Sequence, residues 1–205
     1  TSDHPFPPAA CSPSQFPILA FIAARTRRVR LGTNVFVLPL HNPVRVAEDL
    51  ATLDILSNGR VDFMVGSGSI EDEFSSLGVD VAKRWSLMWE GLEIIRRSFT
   101  EDAFDHAGPN WTFPNLRMTT KPVQRPFPLY VAGVGPKLME RPGREGSHLQ
   151  GGGQNVEIYR QAVRDAGRDP DAYNHQLYTM GFCAESQDRA WALCEESYRS
   201  WRRIF

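Results

Sequence analysis

The chain has 205 residues, 41% hydrophobic and 23% charged, which fits a globular domain and excludes disordered, fibrous and collagen-like classes. Lys and Arg number 23 against 24 Asp and Glu, a net charge of -1, so the basic excess of a nucleic-acid binder is missing. The cysteines, Cys11, Cys183 and Cys194, are widely spaced with no Cys-x-x-Cys pair, which argues against a disulfide framework and a cysteine zinc site and for a reducing, cytoplasmic setting.

In chain order, the opening segment carries Pro5, Pro7, Pro8 and Pro13 and reads as an irregular loop with no secretory signal. Residues 16–25 are apolar and Ala-rich, a helix too short, and too interrupted by Pro17, to span a bilayer. Val29 to Leu38 is apolar on both faces, the pattern of a strand covered on both sides in a parallel sheet. Asn42 then caps a helix with Pro43 at its first position and Gly59 beyond its end. Val61 to Val65 is a strand closed by Gly66-Ser67-Gly68-Ser69. Trp85, Met88, Leu92, Ile95 and Phe99 form one helical stripe. Residues 100–128 read as a long excursion anchored by Phe104, Trp111 and Phe113, of the kind that covers a site. Leu129 to Ala132 is a further strand, followed by Gly133-Val134-Gly135-Pro136. A helix from Asn155 to Ala166, a strand over Leu177–Ala184 and a last helix from Ser186, striped by Trp191, Cys194, Tyr198, Trp201 and Phe205, complete the chain.

Strands alternating with helices predict βα units and a parallel sheet, either an open doubly wound sheet or a barrel. In both, ligands sit at the carboxyl ends of the strands. The standard nucleotide and hydrolase signatures fail: Glu71 and Leu138 stand where a third fingerprint glycine belongs, and Walker, Gly-x-Ser-x-Gly and His-Glu-x-x-His patterns are absent. The five histidines are scattered, so no metal site is expected. Two Gly/Ser turns after strands remain, whose backbone N–H groups suit an anion.

The run Leu31-Gly32-Thr33-Asn34-Val35-Phe36-Val37-Leu38-Pro39, with Asn42 to Asp49 and Leu53 to Arg60, resembles the luciferase-like monooxygenase superfamily. The resemblance continues through Val65 to Gly68, Glu73-Phe74, Leu77-Gly78, Lys121 to Gln124 and Pro128 to Gly133. It implies a (β/α)8 barrel from which the first two strands and the last strand region are missing, formed by residues 1–205 as a single partial domain. Residues 100–128 would cover part of its mouth. It also implies reduced FMN or, alternatively, the deazaflavin F420 as cofactor.

On this resemblance Asn34 and Val35 lie at a non-prolyl cis peptide beneath the flavin ring. Ser67, Gly68 and Ser69 hold the cofactor phosphate, with Ser67 standing where relatives often carry Arg. Gly133, Val134, Gly135, Pro136 and Lys137 form the second phosphate turn, Lys137 replacing part of the lost charge. His4 is the catalytic candidate, lining the site over the reactive flavin carbons. His148 and Gln150 fall near the end of a sixth strand, facing the pocket, and His41 beside the Asn42 cap is structural. The activity implied is oxygenation of a small organic substrate by O₂, with a separate flavin reductase and a homo-oligomeric, dimeric assembly. Alternatives are F420-dependent hydride transfer and a truncated flavin-binding protein without catalysis; no nucleic-acid or membrane partner is expected.

Overall fold

The computed structural model describes residues 3, 14–133, 135–151, 153, 156–177 and 183–204, with the side chains of 197 and 200–204 excepted. Helix α1 (Gln15–Arg25) leads to two short strands, β1 (Leu31–Gly32) and β2 (Phe36–Val37), and then to α2 (Pro43–Ser57). Asn42 caps α2: its side chain accepts from the backbone N–H groups of Val44 and Arg45 at 3.0 and 3.2 Å. The helix stops where Asn58 and Gly59 turn left-handed, at φ 58° and 74°, the αL ending that glycine and asparagine permit. Strand β3 (Val61–Gly66), the short α3 (Glu71–Ser76) and α4 (Arg84–Thr100) follow.

The excursion at 100–128 is not a structureless loop. It holds an antiparallel hairpin, β4 (Phe104–Ala107) and β5 (Thr112–Leu116). Strand β6 (Leu129–Gly133), α5 (Pro136–Glu145), β7 (His148–Gly151), α6 (Val156–Asp165), β8 (His175–Gln176) and α7 (Gln187–Ile204) complete the described elements. Of the strand expected at 177–184, residues 178–182 lie outside the described residues, as does Asn155 before α6. Pro142 sits inside α5, where it forfeits one helical hydrogen bond. Its neighbour Gly143 lets α5 meet α6 closely, since a Cβ there would stand 2.7 Å from Tyr159 O.

Strands β1, β3, β6, β7 and β8 form one parallel sheet in that order, with β2 also pairing β3. The alternation in β3 sorts its two faces. Val61, Phe63 and Val65 join Leu50, Met88, Leu92 and Ile95 in a core between the sheet and α1, α2 and α4. Truncating a fully buried Leu50 or Leu92 to Ala would cost about 2–5 kcal/mol. A second core of Met139, Leu149, Tyr159 and Val163 lies beneath α5 and α6.

The single strand expected over 29–38 is broken because its register changes. Gly32 pairs Asp62 and Phe36 pairs Val65, so four steps on one strand face three on the other, a β-bulge. Without that extra residue, Phe36 would point away from the helices. With it, Phe36 joins Leu31 in the core, because one added residue exchanges the two faces of a strand.

Curvature is visible in one bond. Gln150 on β7 donates to the Asn34 side chain, Nε2 to Oδ1, at 3.0 Å, although β3 and β6 lie between their strands. A flat sheet would hold those strands about 14 Å apart, beyond what the two side chains span. The sheet therefore curls toward its inner face. With helices outside and a parallel sheet curled within, the architecture is an incomplete (β/α)8 barrel.

Candidate active site

The interior side of the curled sheet opens into a cavity of about 180 Å³ at the strand ends, lined by Gly32, Thr33, Asn34, Met64, Gln150, Gln176 and Leu177. Small-molecule sites commonly enclose about 300–1,000 Å³, so this cavity by itself is smaller than such a site. A larger concavity of about 630 Å³, lined by Glu140, Arg144, Glu157 and their neighbours, lies on α5 and α6. It includes no strand-end residue, and the parallel-sheet rule favours the smaller cavity as the site.

The bulge shapes this cavity, and specific side chains support it. Thr33 is buried, and its Oγ1 both donates to Met64 O at 2.7 Å and accepts from Met64 N–H at 3.0 Å. One hydroxyl thus replaces the ladder bonds that β3 would otherwise make to the irregular backbone. Gln15, on α1, donates its Nε2 to Val35 O at 3.3 Å, and Gln150 holds the Asn34 side chain from across the interior. The Asn34–Val35 peptide is cis. Gly66 is bare for a steric reason: a Cβ there would lie 2.7 Å from Val35 Cγ2.

Two turns flank the cavity at the same end, because β3 and β6 are parallel neighbours. In the first, Gly68 has φ +73°, and a Cβ would meet Val37 Cγ1 at 2.6 Å and Phe74 at 2.9 Å. Ser67 is half-buried, with its Oγ donating to Gly68 O at 3.4 Å, and Ser69 is exposed. In the second, Gly133 is buried against Met139, whereas Gly135 has open space around a would-be Cβ. Gly135 precedes α5, whose amino end has no side-chain cap. Pro136 and Lys137 are exposed there, and Val134 lies outside the described residues.

His4 also lies outside them, but its neighbour Asp3 is described. Asp3 Oδ2 accepts from Val37 N–H and pairs with His41 Nε2, each at 3.0 Å. The chain one residue before His4 is thus fastened to the carboxyl end of β2, and His41 is the partner that fastens it.

Toward the amino ends of the strands the side chains are ionic and aromatic, with Arg30 half-exposed. Arg30 makes a bidentate pair with Asp62, both bonds 2.6 Å. The Tyr130 ring lies 4.7 Å from that of His148, and Tyr130 Oη accepts from Asn174 Nδ2 at 3.2 Å. Burial lowers the His148 pKa against the opposing pull of Asp62. Its Nδ1 accepts from Asn174 N–H at 3.0 Å, the geometry of a neutral imidazole. Burial also raises the Tyr130 phenol, with bonds from Asn174 and Gln176 pulling the other way. The floor is therefore uncharged at the cavity and paired below it.

Thr33, Gln15 and Gln176 were not among the residues expected at the site. Their signal is weak in sequence, since each contributes only through a partner far along the chain. No group of three or more His, Cys, Asp or Glu suited to a metal occurs among the described residues, nor does a helix long and apolar enough to cross a membrane.

Comparison with known proteins fits this geometry. A family model described as luciferase-like monooxygenase matches residues 1–203. The chain belongs to that family. It is 31% identical over 153 residues to an F420-dependent glucose-6-phosphate dehydrogenase of Amycolatopsis mediterranei, covering 72% of this chain and 46% of the relative. It is 30% identical over 153 residues to the oxygenase component of a flavin-dependent trigonelline monooxygenase of Acinetobacter baylyi, covering 73% and 42%. Among solved structures, the monooxygenase RslO1 of Streptomyces bottropensis superposes with TM-score 0.86 at 28% identity, covering 94% of this chain and 62% of that one. An F420-dependent secondary alcohol dehydrogenase in complex with an F420-acetone adduct follows at 0.83 and 25%, covering 98% and 64%. The chain thus spans about half the length of the two named enzymes it matches in sequence.

Proposed function

We propose that this chain forms the cofactor-binding part of a flavin-dependent monooxygenase that uses reduced FMN and O₂ on a small organic substrate. The observation that carries the reading is the uncharged cavity at the strand ends, walled by the Asn34 bulge and flanked by two glycine turns. A planar, neutral ring system suits a cavity lined by carboxamides and Met64, and the turns at Gly66–Ser69 and Gly133–Lys137 suit an anionic tail. Gly66 and Gly68 let the first turn pack closely against Val35, Val37 and Phe74, and Gly135 leaves open space just before α5. These features fit a flavin.

When bound, the reduced flavin supplies the electrons and the reaction with O₂. The chain's own residues bind and orient. Met64 and the Asn34–Val35 backbone support one face of the ring. Ser67, Gly68 and Ser69 take the phosphate through backbone N–H groups and hydroxyls, and Lys137 adds one positive charge. Asp3, held by Val37 and His41, fastens the chain at the carboxyl end of β2, and His4, the next residue in sequence, is the candidate to donate a hydrogen bond or relay a proton. A separate reductase delivers reduced flavin, consistent with a relative named as an oxygenase component.

The second reading is hydride transfer with F420, favoured by the named F420-dependent relatives. Titrating the chain with FMN and with F420, following cofactor fluorescence and sedimentation together, tests both. Saturable binding of FMN by a defined species supports the first reading. Binding of F420 alone moves the assignment to hydride transfer, and binding of neither overturns both.

A further inference from the structure

Gln150 and Asn34 meet across the barrel interior, Gln150 Nε2 donating to Asn34 Oδ1 at 3.0 Å. A carboxamide carries one acceptor oxygen and two N–H donors. The shared bond leaves Gln150 Oε1 as an acceptor and the Asn34 Nδ2 hydrogens as donors. No other described residue engages these atoms, and both residues line the cavity. The two ends of an asparagine carboxamide are nearly alike in shape, so its hydrogen-bond partner decides which end faces a ligand. Here the oxygen is committed to Gln150 and the nitrogen is left over.

We propose that Asn34 and Gln150 form one reading unit for a cyclic amide edge, a ring carbonyl beside a ring N–H. Asn34 donates to the carbonyl, Gln150 accepts from the N–H, and Gln150 is also the positioning residue that sets the sense of the Asn34 carboxamide. A donor and an acceptor side by side are how Asn and Gln read base edges in nucleic acids. The inference rests on the flavin or deazaflavin reading, since the pyrimidinedione ring common to both carries that edge. It does not depend on which of the two cofactors binds, nor on the phosphate turns.

The test compares the chain with Gln150→Met, Gln150→Glu, Asn34→Leu and the Asn34→Leu/Gln150→Met double variant, each checked for folding by thermal melting. The probes are FMN and lumiflavin, a ring without phosphate, read by fluorescence and by the absorption band of the bound flavin. Gln150→Met should weaken both probes by the same factor, roughly three- to tenfold, and shift the bound absorption band. The double variant should lose no more than the worse single one, because the residues act as a unit. Gln150→Glu should bind more weakly than Gln150→Met, since a carboxylate only accepts and would turn the Asn34 nitrogen away from the ring carbonyl.

If Gln150 merely filled space, its near-isostere Glu would outbind Met and the absorption band would stay in place. Either result, or additive losses in the double variant, overturns the inference while leaving the functional reading intact. Failure of the unsubstituted chain to bind FMN, lumiflavin or F420 would instead overturn the functional reading, and this inference with it.

Discussion

Two regions of the molecule solve the same problem, irregular backbone against a packed layer, with opposite chemistry. At the bulge between β1 and β2, the supporting side chains are neutral: Thr33, Gln15 and Gln150. At the hairpin β4–β5, the support is a buried carboxylate. Glu90, on α4, accepts from His106 Nε2 at 2.9 Å, from Asn110 Nδ2 at 2.6 Å, and from the backbone N–H groups of Asn110 and Trp111 at 3.0 Å each. Both Glu90 oxygens are engaged, so this site is architecture. At the bulge, Asn34 and Gln150 share one bond and keep carboxamide atoms that no other described residue engages beside the cavity, as the proposed ligand role requires. A polar group's full or partial satisfaction separates the two roles better than its burial does.

The comparison can be broken by substitution. The largest effect should come from Glu90→Ala, which leaves the buried His106 and the half-buried N–H groups of Asn110 and Trp111 without their acceptor. It should destabilise by about 3–5 kcal/mol, read by urea denaturation, and leave the FMN affinity of the remaining folded protein unchanged. Loss of flavin affinity beyond the loss of folded protein would erase the proposed division of labour.

The same carboxylate sets an acid limit. Burial pushes the Glu90 pKa up, but hydrogen bonds from His106, Asn110 and Trp111 together hold it below the ordinary value. A lowered native pKa stabilises the fold above the unfolded value of about 4.3 and loses that contribution as pH falls through the native pKa. Glu90→Gln should therefore flatten the acid limb of a stability-versus-pH curve; an unchanged limb would remove Glu90 as its source.

At the bulge, Thr33→Val keeps the shape but leaves Met64 N–H and C=O without a partner. A loss of about 2–3 kcal/mol is expected, together with weaker flavin binding, since Met64 and Asn34 share the cavity wall. A loss of stability with flavin affinity intact would separate the bulge from the site. The smallest stability effect should come from Gly68→Ala, about 1–2 kcal/mol for a Cβ at φ +73° against Val37 and Phe74. Its weakening should be larger for FMN than for lumiflavin, and equal weakening would detach this turn from the phosphate.

Much of this was legible in the sequence. The Asn42-Pro43 cap, the Val61–Val65 strand and the α4 stripe are local patterns, governed by neighbours within a turn or two, and they form as expected. The family's central run over Leu31–Arg60 was equally readable, because its residues are contiguous. The hairpin within 100–128 was not. Its strands are short, Phe104–Ala107 and Thr112–Leu116, and carry Asp105, Pro114 and Asn115, so no alternation announces them, and Glu90 that anchors their tip belongs to another element.

The sequence by itself determined the parallel α/β alternation, the glycine turns at the strand ends and the family. Only the tertiary structure decided the bulge register that turns Phe36 to the core, the Thr33 bond that replaces the ladder, and the meeting of Gln150 with Asn34 across 116 positions. The physical reason is range. Periodicity and caps report interactions a few residues apart, whereas register and interior hydrogen bonds depend on which strands lie side by side once the sheet has curled.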